Sequence, residues 1–110
     1  MKLPNPDRAI ISPDKLEGYS LNSNHPEGRH KATVFQSALG IGLEQAEELW
    51  AALRQALKSE DALSTKRNPY GQKYQIDFEM TREGKNAIIR SIWIVRQTED
   101  FPRLVTCYIL

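Results

Sequence analysis

The sequence feature that most constrains the fold is a change in the spacing of apolar residues past the middle of the chain. Between residues 26 and 58, apolar side chains recur every three or four positions, which is typical of amphipathic helices. From residue 73 onward, polar and apolar residues alternate, which is typical of half-buried β-strands. Helices that precede strands predict an α+β fold, with N-terminal helices packed on one face of a three- to four-stranded, mainly antiparallel sheet.

Two helices are predicted before the change in spacing, over residues 26–39 and 43–58. Gly40 follows the first of them at the position where a left-handed C-terminal cap is common. In the second helix, acidic residues precede basic ones, an order that matches the helix dipole. Residues 1–24 are interpreted as an extended lead-in that contains a short helical turn.

Antiparallel strands are predicted within residues 70–110, joined by a hairpin turn at residues 82–85. The polar stretch over residues 59–69 contains the turn signal Asn68-Pro69 and is interpreted as a loop. The clearest strands are residues 73–78, 86–95 and 104–110. The second of these is apolar on both faces, which favours a central place in the sheet.

The length of 110 residues predicts a single domain that spans residues 1–110. Fifteen lysines and arginines against 14 aspartates and glutamates give a net charge of +1, which excludes a polycationic nucleic-acid coat and an acidic mimic of DNA. Cys107 is the only cysteine, so an intrachain disulfide and a cysteine-based zinc site are excluded, and a cytoplasmic location is predicted. No apolar run approaches the roughly 20 residues of a membrane helix, so no membrane partner is predicted.

Basic and titratable residues crowd the start of the first predicted helix, over residues 25–31. His30 is a candidate general acid or base near neutral pH, and Arg29 or Lys31 is a candidate phosphate ligand. The alternative is that these side chains are solvated residues of a first helical turn. Two histidines five positions apart do not share one helical face, so no metal site and no cofactor are predicted.

Arg90 lies within an apolar strand, where a charge is costly unless it is paired or lines a site. It is predicted either to pair with Asp77 on the neighbouring strand or to project from an open sheet face toward an anionic ligand. Thr106 and Tyr108 share one face of the last strand. Such hydroxyls often form only cross-strand pairs, so their pattern alone does not indicate a site.

Five stretches of the chain together carry a family resemblance: residues 25–35, 37–41, 70–74, 90–94 and 102–108. They resemble a family of uncharacterised bacterial domains that is common in cyanobacteria as small free-standing proteins. The same order of motifs is similar to the C-terminal toxin domains of bacterial contact-dependent systems, which belong to the barnase–EndoU–colicin–RelE group of ribonucleases. That group consists of N-terminal helices packed on a four-stranded antiparallel sheet.

The resemblance also implies roles for individual residues. His30 would be the general acid or base, and Lys31 and Arg90 would stabilise the phosphate. Thr106 and Tyr108 would orient the phosphate or the attacking 2′-hydroxyl. Three further residues are predicted to bind the substrate: Arg29, Ser91 and Arg103.

The resulting hypothesis is a toxin-like, metal-independent endoribonuclease domain, the toxin of a toxin–antitoxin pair. RNA would be its substrate, and a small antitoxin or immunity protein would cover its open sheet face. The alternative is a non-catalytic protein-binding module of the same fold, such as an antitoxin, an immunity protein or an adaptor. A third hypothesis is an oligomerising domain that pairs through the apolar strand 104–110, because exposed edge strands invite pairing. A monomer and a homodimer both remain open.

Overall fold

The computed structural model describes residues 1–110 and places the helices before a four-stranded antiparallel sheet. The predicted α+β fold is therefore confirmed. None of its helices is long and apolar enough to cross a membrane. The helices are α1 (Pro13–Lys15), α2 (Arg29–Leu39) and α3 (Ala46–Ser59), and the strands are β1 (Leu63–Asn68), β2 (Gly71–Arg82), β3 (Lys85–Arg96) and β4 (Pro102–Ile109).

The four strands lie side by side in sequence order, so each consecutive pair is antiparallel and adjacent. The hairpin between β2 and β3 turns at Glu83 and Gly84, both of which have positive φ angles, of 49° and 80°. Two successive left-handed residues are typical of tight hairpin turns, and glycine adopts that conformation without steric cost. Strand β3 has a neighbour on each side, as its two apolar faces predicted.

The helices cover one face of the sheet and leave the other face open. Helix α2 packs against β3 and β4, and α3 packs against β2. The largest fully buried side chain is Trp93 of β3, which has no exposed surface. Its indole Nε1 donates a hydrogen bond to Ser91 Oγ at 2.9 Å, and that hydroxyl donates to the carbonyl of Ile76 at 2.8 Å. The buried polar atoms of this pair are thus satisfied by each other and by the sheet.

Helix α2 ends as the sequence predicts. Gly40 has a φ of 67°, and the N–H groups of Gly40 and Ile41 donate to the carbonyls of Gln36 and Phe35. This pair of bonds satisfies the last carbonyls of the helix. The start of α2 differs from the prediction, because residues 25–28 form a turn and regular helix begins only at Arg29.

Strand β1 occupies part of the stretch that was interpreted as a loop. All but one of its residues are exposed, so neither face of the strand has to be apolar. The alternation that marks the other strands is therefore absent from its sequence. Backbone pairing with β2 holds it at the edge of the sheet.

The N-terminal segment is packed more closely than an extended lead-in. It contains a 3₁₀ turn over Pro6–Arg8, the short helix α1 and a wide helical turn over Leu16–Ser20. Because the chain reverses between these turns, the apolar residues that reach the core have no regular spacing. Five of them are buried: Leu3, Ala9, Ile11, Leu16 and Leu21.

The outer edge of β4 is partly occupied by this N-terminal segment. The N–H of Ile10 donates to the carbonyl of Pro102, and the carbonyl of Ile10 accepts from the N–H of Leu104. Farther along the edge, Ser20 Oγ donates to the carbonyl of Cys107 at 2.9 Å. The strand that was considered for pairing with a second copy therefore already has several of its edge groups bonded within the chain. Pairing through this strand stays an untested prediction.

Candidate functional site

The candidate site lies where the start of α2 meets the outer edge of β4. The strand register places Arg90 opposite Tyr108, and Ile92 opposite Thr106. Because cross-strand partners point to the same side of a sheet, Arg90 and the two hydroxyl residues all share the open face. The implied joint role of these residues at one phosphate requires such a shared face.

Lys31 of α2 is the central residue of the site. Its ammonium Nζ donates to Thr106 Oγ1 at 3.0 Å and to the Tyr19 hydroxyl at 3.3 Å. The same atom lies 4.4 Å from the ring centroid of Tyr19 and 5.4 Å from that of Tyr108. Lys31 is half-buried and takes part in none of the salt bridges of the chain. The groups that contact the ammonium are all neutral. No carboxylate compensates its charge, so the ammonium can bind an anion.

His30 lies on the first turn of α2 with an exposed imidazole. Together with Lys31 and Tyr108 it lines a shallow cavity of about 260 Å³, which we call the His30 cavity; Val34 and Ile109 complete its wall. His30, Lys31 and Tyr108 thus border one depression, whose exposed lining is formed almost entirely by carbon atoms. An imidazole, an ammonium and a phenol are groups that general acid–base chemistry on a phosphate can use.

Arg90 forms a two-point salt bridge with Asp77, which lies directly opposite on β2. Its Nε and terminal nitrogen each lie 2.9 Å from a carboxylate oxygen of Asp77. These hydrogen bonds raise the pKa of Arg90, and the neighbouring Tyr108 hydroxyl contributes in the same direction. Of the two interpretations of Arg90, the structure thus shows the pairing with Asp77. Its charge is compensated, whereas that of Lys31 is not.

The three predicted substrate-binding residues lie apart from the His30 cavity. Arg29 is exposed on the first turn of α2. Ser91 has no exposed surface, since it points into the core beside Trp93. Arg103 is held by two hydrogen bonds to Glu99, at 2.8 and 2.7 Å, which raise the pKa of Arg103. The structure does not gather these three side chains into one site.

Cys107 is fully buried on the core side of β4. Burial raises the pKa of its thiol to about 12, so the sulfur stays protonated at neutral pH. A protonated, inaccessible thiol is not a nucleophile.

No three histidine, cysteine, aspartate or glutamate side chains gather in a group that could hold a metal ion.

Tyr19 and His25 adjoin the site, although no role at a site was predicted for either residue. Their ring centroids are 4.8 Å apart in an edge-on arrangement. His25 Nδ1 accepts hydrogen bonds from the N–H groups of Glu27 and Gly28, both at 3.0 Å, and so caps the turn before α2. Tyr19 lies in an irregular segment whose contact with Lys31 leaves no periodic signal in the sequence.

Gly28 sets the distance between the start of α2 and the Leu16–Ser20 turn. A methyl group at Gly28 would overlap the carbonyl oxygen of Tyr19. We expect Gly28→Ala to lower the free energy of unfolding by about 1–3 kcal/mol, because the helix start must move away from Tyr19. Urea denaturation measures the change. Gly18→Ala is the matched control, since its methyl group would lie at an ordinary 3.7 Å from Asp14 Cβ. Equal effects at the two glycines would contradict the close approach.

A comparison with protein families gives one match: the model of the domain of unknown function DUF6883 matches residues 2–110. The chain belongs to this family. No curated protein and no solved structure shows significant similarity to it. Helix α2, strand β4 and the His30 cavity between them all lie within the DUF6883 domain.

Proposed function

We propose that this DUF6883 chain is a metal-independent endoribonuclease whose substrate phosphate binds at Lys31. The observation that carries the proposal is that the Lys31 ammonium, which has no counter-ion, lies against Thr106 and Tyr108 at the edge of β4, with His30 on the wall of a cavity that Lys31 also lines. RNA offers one anionic phosphate per nucleotide, and an uncompensated ammonium is a suitable partner for it.

The proposed reaction needs only groups that lie at this edge. The 2′-hydroxyl of a ribose attacks the adjacent phosphorus, and its proton passes to the neutral imidazole of His30. The bond from phosphorus to the 5′-oxygen of the next nucleotide breaks, and that oxygen takes a proton from water. The products are a 2′,3′-cyclic phosphate and a 5′-hydroxyl, and His30 returns its proton to the solvent. Lys31 stabilises the negative charge that develops on the phosphate oxygens.

The remaining site residues have supporting roles in this proposal. Thr106 and Tyr19 fix the position of the Lys31 ammonium through their hydroxyls. Arg90 is paired with Asp77 and positions Tyr108 beside it instead of binding the phosphate directly. Ser91 has no part, since its side chain is buried in the core.

The similarity of the sequence motifs to toxin domains of bacterial contact-dependent systems adds a biological setting to the proposal. In that setting the chain is the toxin of a toxin–antitoxin pair and acts on cytoplasmic RNA. Its partner is a small antitoxin or immunity protein that covers the open sheet face, where Ile88 is exposed beside Arg90.

Metal-free cleavage of RNA by the purified protein is the direct test. Single-stranded RNA incubated with the chain and a chelator of divalent cations should yield fragments ending in 2′,3′-cyclic phosphate. DNA of the same sequence should stay intact, because it lacks the attacking hydroxyl. Lys31→Gln should lower the cleavage rate by about 100- to 1,000-fold, the usual cost of removing a group that stabilises developing charge. Lys85→Gln, which removes an exposed lysine next to the β2–β3 turn, is the matched control.

The same variants test the toxin setting in bacteria. Induced expression of the wild-type chain should arrest growth and fragment total RNA, and Lys31→Gln should relieve both effects while Lys85→Gln should not. Harmless expression with intact RNA, together with no cleavage in vitro, would contradict the ribonuclease proposal.

A non-catalytic binding module is the second candidate. The observation that favours it is the compensated Arg90, since a paired guanidinium fits a structural role in a binding face. In that case the wild-type chain would bind a protein partner through the open sheet face and leave RNA intact. The cleavage assay separates the two candidates.

A further inference from the structure

Lys31 borders a second cavity, which His30 does not line. This cavity has a volume of about 440 Å³ and lies between α1, the Leu16–Ser20 turn and β4. Tyr19, His25, Asp14 and Lys15 line it, and we call it the Tyr19 cavity. Lys31 is part of the wall of both cavities. An anion bound to its ammonium would therefore lie between the His30 cavity and the Tyr19 cavity.

We propose that the Tyr19 cavity binds the base of the nucleotide next to the phosphate held by Lys31. This inference rests on the proposed function, since it takes RNA as the ligand. It adds a recognition subsite for a nucleobase in a cavity that borders Lys31 but not His30.

The aromatic wall of the cavity supports a base as the occupant. Tyr19 and His25 present two rings within 4.8 Å of each other, held edge-on. The position of His25 is fixed by the two backbone N–H groups that donate to its Nδ1, and Tyr19 is fixed by its contacts with Lys31. Stacking on fixed aromatic side chains is the usual way in which proteins bind bases of single-stranded RNA.

The charges of the cavity distinguish the place of the base from that of the phosphate. The ammonium of Lys31 lies over the Tyr19 ring, so a phosphate bound there carries its base next to the aromatic wall. Asp14 and Lys15 both line the cavity, so their opposite charges offset each other and leave the uncompensated ammonium of Lys31 to hold the phosphate. The Asp14 carboxylate can accept a hydrogen bond from the amino group of a base. The cavity volume falls within the range of ordinary small-ligand sites.

Equilibrium binding of an uncleavable RNA tests the subsite without relying on catalysis. The probe is a fluorescein-labelled, single-stranded RNA hexanucleotide with 2′-O-methyl groups, which blocks attack by the 2′-oxygen. A second set of probes lacks one base at each position in turn. Fluorescence anisotropy gives the dissociation constants for the wild-type chain and for Tyr19→Leu, Tyr19→Phe and Tyr70→Leu. Tyr70 is exposed in the β1–β2 turn, which makes it a matched control.

We expect Tyr19→Leu to weaken binding of the intact probe by about 5- to 100-fold, the range for loss of one stacked base. For the probe that lacks the base at the subsite position, the same substitution should cost only the small factor due to the lost hydrogen bond to Lys31, well below the loss for the intact probe. Tyr19→Phe keeps the ring and loses only that hydroxyl, so it should weaken both probes by the same small factor. Tyr70→Leu should change neither affinity.

Three outcomes would overturn the subsite. Equal weakening of the intact and base-less probes by Tyr19→Leu would show that Tyr19 only positions Lys31. An equally large loss for Tyr19→Phe would assign the effect to the hydroxyl. If the wild-type chain does not bind the intact probe, RNA is not its ligand and the subsite proposal is wrong.

The outcome also separates this inference from the proposed ribonuclease. Base-dependent binding without cleavage of unmodified RNA would support the subsite and contradict the catalytic proposal. Cleavage of RNA with an affinity that does not depend on Tyr19 would support catalysis and overturn the subsite.

Discussion

Replacing His30 by alanine is expected to slow metal-free cleavage of RNA by about 100- to 10,000-fold, the range in which positioned acid–base groups act. His30 shares its cavity with Lys31 and Tyr108, and no second histidine lines that cavity. One imidazole therefore has to accept the proton of the 2′-hydroxyl. Because His30 is exposed, its removal should change the free energy of unfolding by no more than about 0.5 kcal/mol.

Rescue by free imidazole distinguishes a catalytic His30 from a structural one. A base in solution can take over the proton transfer of a missing side chain, so added imidazole should restore part of the cleavage rate of His30→Ala. Circular dichroism of both proteins checks that the fold is intact. An unchanged rate in a folded His30→Ala variant would remove His30 from the mechanism.

Replacing Trp93 by alanine is expected to lower the free energy of unfolding by about 3–5 kcal/mol. Trp93 is fully buried at the centre of the sheet, and its removal leaves a large cavity. The substitution also takes away the indole N–H that donates to Ser91 Oγ. Domains of this kind are usually stable by only about 5–15 kcal/mol, so the loss is a large share of the total. Urea denaturation should show a much lower midpoint with an unchanged slope.

Trp50→Ala is the matched control for this prediction, since it removes the other tryptophan of the chain. Trp50 is 44% exposed on α3, and the guanidinium of Arg54 lies 5.0 Å from its ring centroid. Its removal opens no enclosed cavity, so the expected loss is below about 1.5 kcal/mol. Equal midpoints for the two variants would contradict the assignment of Trp93 to the buried core.

An element of the fold could be predicted from the sequence when one of its faces packs against the core. Helix α3 and strand β3 each pack against the core, so their apolar spacing is regular and their approximate bounds follow from it. Strand β1 lies at the sheet edge with both faces exposed, which leaves its sequence free of any pattern. The N-terminal segment buries single apolar residues between turns, and irregular spacing of that kind predicts no element.

The sequence by itself determined that helices precede antiparallel strands, and it placed the cap at Gly40 and the turn at Gly84, because these features depend on neighbouring residues alone. It also offered Asp77 as a partner for Arg90, beside the alternative of an anionic ligand, since a charge within an apolar strand needs one or the other. Only the tertiary structure decided which residues surround Lys31. Thr106 lies 75 positions away, and its orientation depends on the strand register, which shifts between Ile92 and Trp93. A register is set by the packing of a whole sheet, so no local pattern specifies the contacts at its edge.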